Sequence, residues 1–148
     1  MVFQREKFSH FCDEALTLFE DHHKEVGDIF PGDVEFDPNI EAFLKLDDHD
    51  LLRVYTVRED GVLLGYCIHH VSNHLHFRNS LQSIQDAIYI AKNHRGIGKK
   101  FISWIDDQLK SEGVEAVYHS VSLNYDYSKA LVGLGYEKIE STYFRRLH

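Results

Sequence analysis

Between Phe8 and Val26, the residues Phe8, Phe11, Cys12, Ala15, Leu16, Leu18 and Phe19 recur at nearly three-and-four spacing, with Asp13, Glu14, Glu20, Asp21 and Lys24 mostly between them. Side chains three and four apart share one side of a helix, so the segment predicts an amphipathic helix with a single apolar face. Gly27 ends it, and Asp28 to Pro38, carrying Pro31, Gly32 and Asp33, reads as a polar loop. A short helix follows over Asn39 to Leu46. The period then changes. LLRVYTV, Leu51 to Val57, and VLLGYCIHHV, Val62 to Val71, are β-branched and aromatic runs joined through Glu59-Asp60-Gly61, which predicts an antiparallel hairpin.

A polar stretch, Asn73 to Ser80, precedes a further predicted strand, Ser83 to Ala91 (SIQDAIYIA). Next comes KNHRGIGKKF, a basic loop punctuated by glycine, feeding a helix over Lys99 to Ser111 with Phe101, Ile102, Ile105 and Leu109 on one side. Gly113 suits the left-handed position past its end. Ala116 to Leu123 predicts a strand, and Asn124 or Asp126 can cap a short helix ending near Gly135. Tyr136 to Leu147 predicts a closing strand. With a short strand at the start, the expected order is strand, two helices, three strands, helix, strand, helix, strand. No repeat, heptad run or interdomain linker interrupts it.

At 148 residues the chain is near the usual size of one domain, with 43% hydrophobic and 27% charged residues, which excludes a disordered or collagen-like chain. A single domain over 1–148 is expected. No apolar run approaches the roughly 18–20 residues that a membrane span requires, and MVFQREKF lacks the apolar core of a signal peptide, so a cytoplasmic protein is expected. Cys12 and Cys67 have no CxxC spacing and lie in apolar segments, which points to two buried free thiols. The net charge of −8 is uneven: residues 1–65 carry 16 Asp and Glu against 6 Lys and Arg, and residues 66–148 carry 8 against 10. The overall sign argues against direct nucleic-acid binding, and the acidic front half favours a cationic partner.

One element carries chemistry. A strand leading through a tight Gly-x-Gly loop into a helix presents unpaired backbone N–H groups at the positive end of a helix dipole, a setting that suits pyrophosphate. Here Ile88-Tyr89-Ile90 leads into Asn93-His94-Arg95-Gly96-Ile97-Gly98-Lys99-Lys100. Arg95, Lys99 and Lys100 add counter-charge. Neither GxxxxGK[ST] nor GxGxxG is present.

The loop, its preceding strand and the order of elements resemble the GNAT superfamily, the Gcn5-related N-acetyltransferases, whose pyrophosphate loop follows [Q/R]-x-x-G-x-[G/A]. Asn124 to Tyr136, NYDYSKALVGLGY, is similar to the second signature of that family, N-x-x-A-x-x-L-Y-x-x-x-G-[F/Y]. EDHHKEVGD, REDGVLLGY, QDAIYI and LGYEKIESTYFRRL look most like small members from bacteriophage and bacterial genomes. The resemblance implies an α/β fold with a mixed, mostly antiparallel sheet flanked by helices and splayed where acetyl-CoA enters. It implies a cofactor-binding set of Ile88, Tyr89, Ile90, Asn93, Arg95, Gly96, Ile97, Gly98, Lys99, Lys100 and Asn124, with the backbone of Ile88 to Ile90 nearest the pantetheine. Two departures stand out. Asn93 replaces the usual Gln or Arg if the glycines set the alignment, whereas alignment on Arg95 implies a loop shortened by two residues. Leu131 stands where many members carry the tyrosine that protonates the departing thiolate.

Acetyl transfer to an amine needs a proton acceptor, an N–H donor for the carbonyl and an acid for the thiolate. Asp86 is the first candidate base, followed by Glu20 or Glu25 and then His69, His70 or His119; Tyr127, ahead of Tyr125 and Tyr118, is the candidate acid. Each has a purely structural alternative, as a solvated helix charge, a satisfied strand histidine or a packed aromatic. His69-His70 with His74 and His76, and His22-His23, invite a metal reading, but adjacent histidines on a strand point to opposite faces, so His69 and His70 do not form a metal pair, and His74 with His76 lacks a nearby carboxylate or cysteine. The implied activity is direct acetyl transfer from acetyl-CoA to a primary amine of a small cationic molecule or a protein, with a homodimer among the expected partners. The alternatives are a longer acyl-CoA, or a non-catalytic member used as an interaction module.

Overall fold

A computed structural model describes residues 1–27 and 35–147. The elements are β1 (Val2–Glu6), α1 (Phe8–Val26), α2 (Ile40–Asp48), β2 (Leu52–Glu59), β3 (Val62–His74), β4 (Phe77–Ile90), α3 (Gly98–Ser111), β5 (Ala116–Tyr118) and α4 (Ser128–Gly133). The five strands form one sheet in the order β1-β2-β3-β4-β5, antiparallel except where β5 runs parallel to β4. Residues 28–34 of the expected polar loop lie outside the described residues.

Period-two alternation in β2 and β3 gives the sheet two apolar faces. On one, Leu52, Val54, Tyr66 and Ile68 meet Phe8, Phe11, Ala15 and Phe19 of α1. On the other, Tyr55, Val57, Cys67 and Val71 meet Phe101, Ile102, Ile105 and Leu109 of α3. Full burial of a phenylalanine such as Phe8 or Phe11 contributes on the order of 1.5–3 kcal/mol. The α1 stripe is narrower than the sequence pattern suggests: Leu16 follows Ala15 around the turn and is 44% exposed.

The β2–β3 hairpin turns where its sequence indicates. Asp60 (φ 50°) and Gly61 (φ 81°) are both left-handed, the combination a two-residue turn between twisted strands demands. Gly65 has a different role. A Cβ there would sit 2.8 Å from the Tyr89 carbonyl oxygen, so glycine is what lets β3 approach β4.

Three expectations need correction. The polar stretch Asn73 to Ser80 is mostly strand, because β3 and β4 pair past the core and turn at Leu75 and His76; backbone ladders hold this projecting end, which hydrophobic patterning cannot reveal. The strand predicted over Ala116 to Leu123 stops at Tyr118. Tyr136 to Leu147 forms no strand among the described residues. Its β-branched and aromatic residues have strand propensity, but a three-residue β5 offers little edge to pair with, and Ile139, Tyr143 and Leu147 are exposed.

An ion network joins β1, β2 and α1. Arg58 donates to both carboxylate oxygens of Glu6 at 2.9 Å and also to the Glu14 carboxylate. Burial raises the Glu6 pKa, but hydrogen bonds from Arg58, Thr56 and Gln4 outweigh it and hold the carboxyl below its ordinary value. Removing the guanidinium leaves a nearly buried carboxylate unpaired. Arg58→Met should lower unfolding stability by about 2–3 kcal/mol, read as a reduced urea midpoint, and adding Glu6→Gln should restore part of the loss.

Candidate active site

The site begins where β4 leaves β5. Their ladder comprises Gln82–Ala116, Ser83–Val117 and Ile84–Tyr118 and then ends. Gln85 keeps the chains near each other by accepting the Ser120 backbone N–H on its side-chain oxygen at 3.2 Å. From Gln85 to Ile90, that edge of β4 has no strand partner among the described residues. On its other edge, Ile68 opposes Ala87 while His69 opposes Gln85, so Asp86 is the extra residue of a β-bulge. Before the bulge, Ser83 and Gln85 share the α3 face with His69 and Val71; after it, Ile88 and Ile90 do. Asp86 and Ala87 both open toward α1.

The basic loop, Lys92–Ile97, is a tight 3₁₀ turn that runs directly into Gly98 and α3. No side chain caps the start of α3, so its first-turn N–H groups are not met by a capping side chain. Gly98 has ordinary helical angles (φ −55°, ψ −46°), and Gly96 is not left-handed. A Cβ on Gly96 would meet nothing within 4 Å, and one on Gly98 only the Ile90 Cδ1 atom at 3.6 Å. Neither backbone conformation nor packing within the chain requires these glycines. Asn93 and Lys100 are exposed, while Lys99 is also exposed but its Nζ lies close to Gly133 of α4. Arg95 turns inward to pair with Glu25, donates to the Ile90 carbonyl at 3.1 Å and lies over the rings of Tyr89 and Tyr125. The hydrogen bond from Arg95 holds Glu25 below the usual carboxylate range, which makes it a weak base. Glu20 is on the exposed side of α1.

Between α1, α2 and the sheet lies a cleft of about 390 Å³, whose lining includes Phe19, His22, Phe36, Phe43, Tyr66 and Asp86. Burial raises the Asp86 pKa, partly opposed by His70, whose Nε2 is 3.7 Å away. His22 was not foreseen as a site residue. Its ring stacks on Tyr89 with centroids 5.0 Å apart, its Nδ1 is 2.7 Å from the Tyr66 hydroxyl, and burial lowers its pKa to about 4. The available signal was periodicity, since Phe8, Phe11, Ala15, Phe19, His22 and Val26 continue one helical stripe. Phe36 and Phe43, distant in sequence from the strands, carried none.

On the α3 side a buried polar cluster sits beside the point where β4 and β5 part. His69 Nδ1 is 2.8 Å from the Ser83 hydroxyl, and His119 Nδ1 is 3.0 Å from the Tyr127 hydroxyl. The His69 and His119 rings lie 5.5 Å apart. Burial lowers the pKa of His69 to about 3 and of His119 to about 4. Among the described residues, the Nε2 atoms of both are buried without a hydrogen-bond partner. Burial raises the pKa of Tyr127, which packs with the α3 core, whereas Tyr125 packs with the α1 core; their rings are 6.0 Å apart. Asp86 and Tyr127 therefore approach the parted strands from opposite faces. Tyr118 is held in the β5 ladder, and Leu131 is buried in the α3 core. Asn124 donates to the Val26 carbonyl at 2.7 Å, tying its loop to the end of α1. It does not cap α4; the Asp126 side chain accepts the Ser128 N–H instead. Burial raises the thiol pKa of both Cys12 and Cys67, which makes them poor nucleophiles.

No protein-family model and no curated protein sequence matches the chain. Solved structures do. A ribosomal-protein-alanine N-acetyltransferase from Brucella melitensis biovar Abortus 2308 superposes with a TM-score of 0.73 at 17% identity, over 99% of this chain and 100% of its own. A predicted acetyltransferase with acetyl-CoA from Clostridium acetobutylicum gives 0.76 at 9% identity, over 99% and 96%. An aminoglycoside acetyltransferase from an uncultured soil metagenomic sample, in complex with sisomicin, gives 0.72 at 17% identity, again over 99% and 96%. The chain has the fold of the GNAT acetyltransferases. Among the described residues, no helix is long and apolar enough to cross a membrane.

The buried imidazoles make stability depend on pH. His22, His69 and His119 are neutral in the fold with pKa values of about 4, 3 and 4, while an unfolded histidine titrates near 6.5. The unfolded chain therefore binds more protons below about pH 6.5, and stability is lost as pH falls from there toward 4. Thermal unfolding should show a flat melting temperature above pH 7 and a steep decline between pH 6 and 4. His119→Gln should make that decline shallower.

Proposed function

We propose that the protein transfers an acetyl group from acetyl-CoA to a primary amine by direct attack, with both substrates bound at once. The observation that carries this reading is the parting of β4 from β5 just before a loop whose two glycines nothing in the chain requires. Backbone without Cβ atoms at a helix start that has no side-chain cap suits close approach by phosphate oxygens. Acetyl-CoA supplies an activated acyl carbon and a thiolate leaving group.

The pyrophosphate would be held by the backbone of Gly96, Ile97 and Gly98 and the first turn of α3, with Asn93, Lys99 and Lys100 at the rim. Arg95 contributes a charge already shared with Glu25. Asn124 stands at the loop that closes this end. The edge of β4 along Ile88, Tyr89 and Ile90, unpaired with β5, would offer backbone groups to the pantetheine and the thioester carbonyl, with the Ile90 carbonyl already accepting from Arg95.

Asp86 is the base in this reading. Its position in the cleft lets it take a proton from an entering ammonium, and a carboxyl with a raised pKa holds that proton better than an exposed one. His70 is placed to pass it outward. Tyr127 takes the acid role that Leu131 cannot fill. Burial keeps its phenol protonated, and with the His119 proton on Nδ1 that imidazole donates to the phenol oxygen, leaving the O–H free for the thiolate. The buried thiols favour direct attack over an acyl-cysteine route.

Calorimetric titration tests the cofactor site. Acetyl-CoA and coenzyme A should bind the wild-type protein, and a Gly96→Glu, Gly98→Glu double variant should lose binding while keeping its unfolding transition, since a Cβ meets nothing within 4 Å at Gly96 and only an ordinary van der Waals contact at Gly98. Absence of binding at millimolar ligand overturns the reading. Asp86→Asn should reduce kcat by about 10²–10⁴ without weakening acetyl-CoA binding. Tyr127→Phe should lower kcat by a smaller factor.

A further inference from the structure

The cleft that holds Asp86 also indicates which amine it admits. We infer that the acceptor is a monoamine carried on an aryl-alkyl body, with its single ammonium on Asp86, and not a polycation such as a polyamine or an aminoglycoside. The transfer chemistry rests on the reading above; the binding preference does not.

The acidic front half of the chain suggests a cationic acceptor, but several of its carboxylates are committed outside the cleft. Glu6 and Glu14 pair with Arg58, Glu25 with Arg95, Glu41 with Lys45, and Asp50 with Arg5 and Arg53. Asp47 accepts the Phe8 backbone N–H at 2.8 Å. Among the described residues lining the cleft, Asp86 is the one carboxylate. The two histidines there add no negative charge. His22 is neutral and committed to the Tyr66 hydroxyl, and His23 stacks on Phe36 with centroids 4.4 Å apart.

The remaining walls are apolar or aromatic: Phe19 and Val26 from α1, Phe36 and Phe43 from the opposite side, Tyr66 and Ile68 from the sheet. Among the described residues lining the cleft, a second ammonium finds no counter-charge to offset the water it loses, a penalty of several kcal/mol. One ammonium meets a carboxylate, and an aromatic body replaces water along the walls. At about 390 Å³ the cleft is within the range of roughly 300–1,000 Å³ typical of small-molecule sites.

The test measures binding without acetyl-CoA, by calorimetry or ligand-observed NMR at pH 7. The probes are 2-phenylethylamine, its neutral analogue 2-phenylethanol, spermidine, kanamycin and a short peptide with an apolar first residue. 2-Phenylethylamine should bind at least about tenfold more tightly than spermidine or kanamycin, a difference of about 1.4 kcal/mol. Asp86→Asn should weaken 2-phenylethylamine about tenfold and leave 2-phenylethanol unchanged. Phe36→Ala should weaken both aryl ligands several-fold. Asp86 and Phe36 are both partly exposed, so neither variant threatens the fold. Equal or tighter binding of spermidine, kanamycin or the peptide overturns the inference, as does an Asp86→Asn variant that binds 2-phenylethylamine like wild type. Since acetyl-CoA is not in the assay, this outcome leaves the cofactor titration standing, and failure of that titration leaves the amine preference standing.

Discussion

A single extra residue in β4 organises this molecule. A β-strand presents alternate side chains to opposite faces, and a one-residue insertion reverses that alternation for everything beyond it. Because Asp86 has no partner on β3, Ser83 and Gln85 face α3 upstream of it, and Ile88 and Ile90 face α3 downstream. Asp86 itself is placed in the cleft beside Ala87. The polar upstream residues and the parting of β4 from β5 belong together. Ser83 holds His69, Gln85 reaches the Ser120 backbone, and the ladder to β5 stops at Ile84.

Part of the charge in this protein is structural. The front half of the chain is strongly acidic, and guanidinium groups hold Glu6, Glu14, Glu25 and Asp50 there at contacts between elements. Arg58 joins three elements through Glu6 and Glu14, and Arg53 donates to Glu112 at 2.8 Å, linking β2 to the end of α3. Arg95 ties the loop before α3 to the end of α1 through Glu25, with two aromatic rings beneath it. The net charge consequently says little about the cleft. The buried imidazoles work in the opposite direction. They are neutral because water is excluded, and among the described residues the Nε2 atoms of His69 and His119 lie without partners beside the parted strands.

Much of this architecture was legible from local pattern. The amphipathic stripe of α1, the left-handed Asp60-Gly61 turn and the apolar face of α3 depend on side chains within a few residues of one another, and each occurs where its sequence places it. Asp86 and the glycine loop were also identifiable as candidates, one as a carboxylate in an apolar strand and the other by spacing. Patterns that depend on a distant partner were not legible. The last segment, Tyr136 to Leu147, has strand composition, but a strand exists only where an edge accepts it. The extensions of β3 and β4 show the converse, with polar residues held in strands by their mutual ladder.

The sequence alone determined the helices, the hairpin, the basic loop and the supply of acids, imidazoles and phenols, since these follow from composition and short-range periodicity. Only the tertiary structure decided which of those groups meet. It set Arg95 against Glu25, brought His22 into the cleft wall, and paired Tyr127 with His119 on the face opposite Asp86. The physical reason is register. Which face a side chain reaches depends on a bulge in one strand and the length of its ladder with the next, and both are fixed by contacts between residues far apart in the chain.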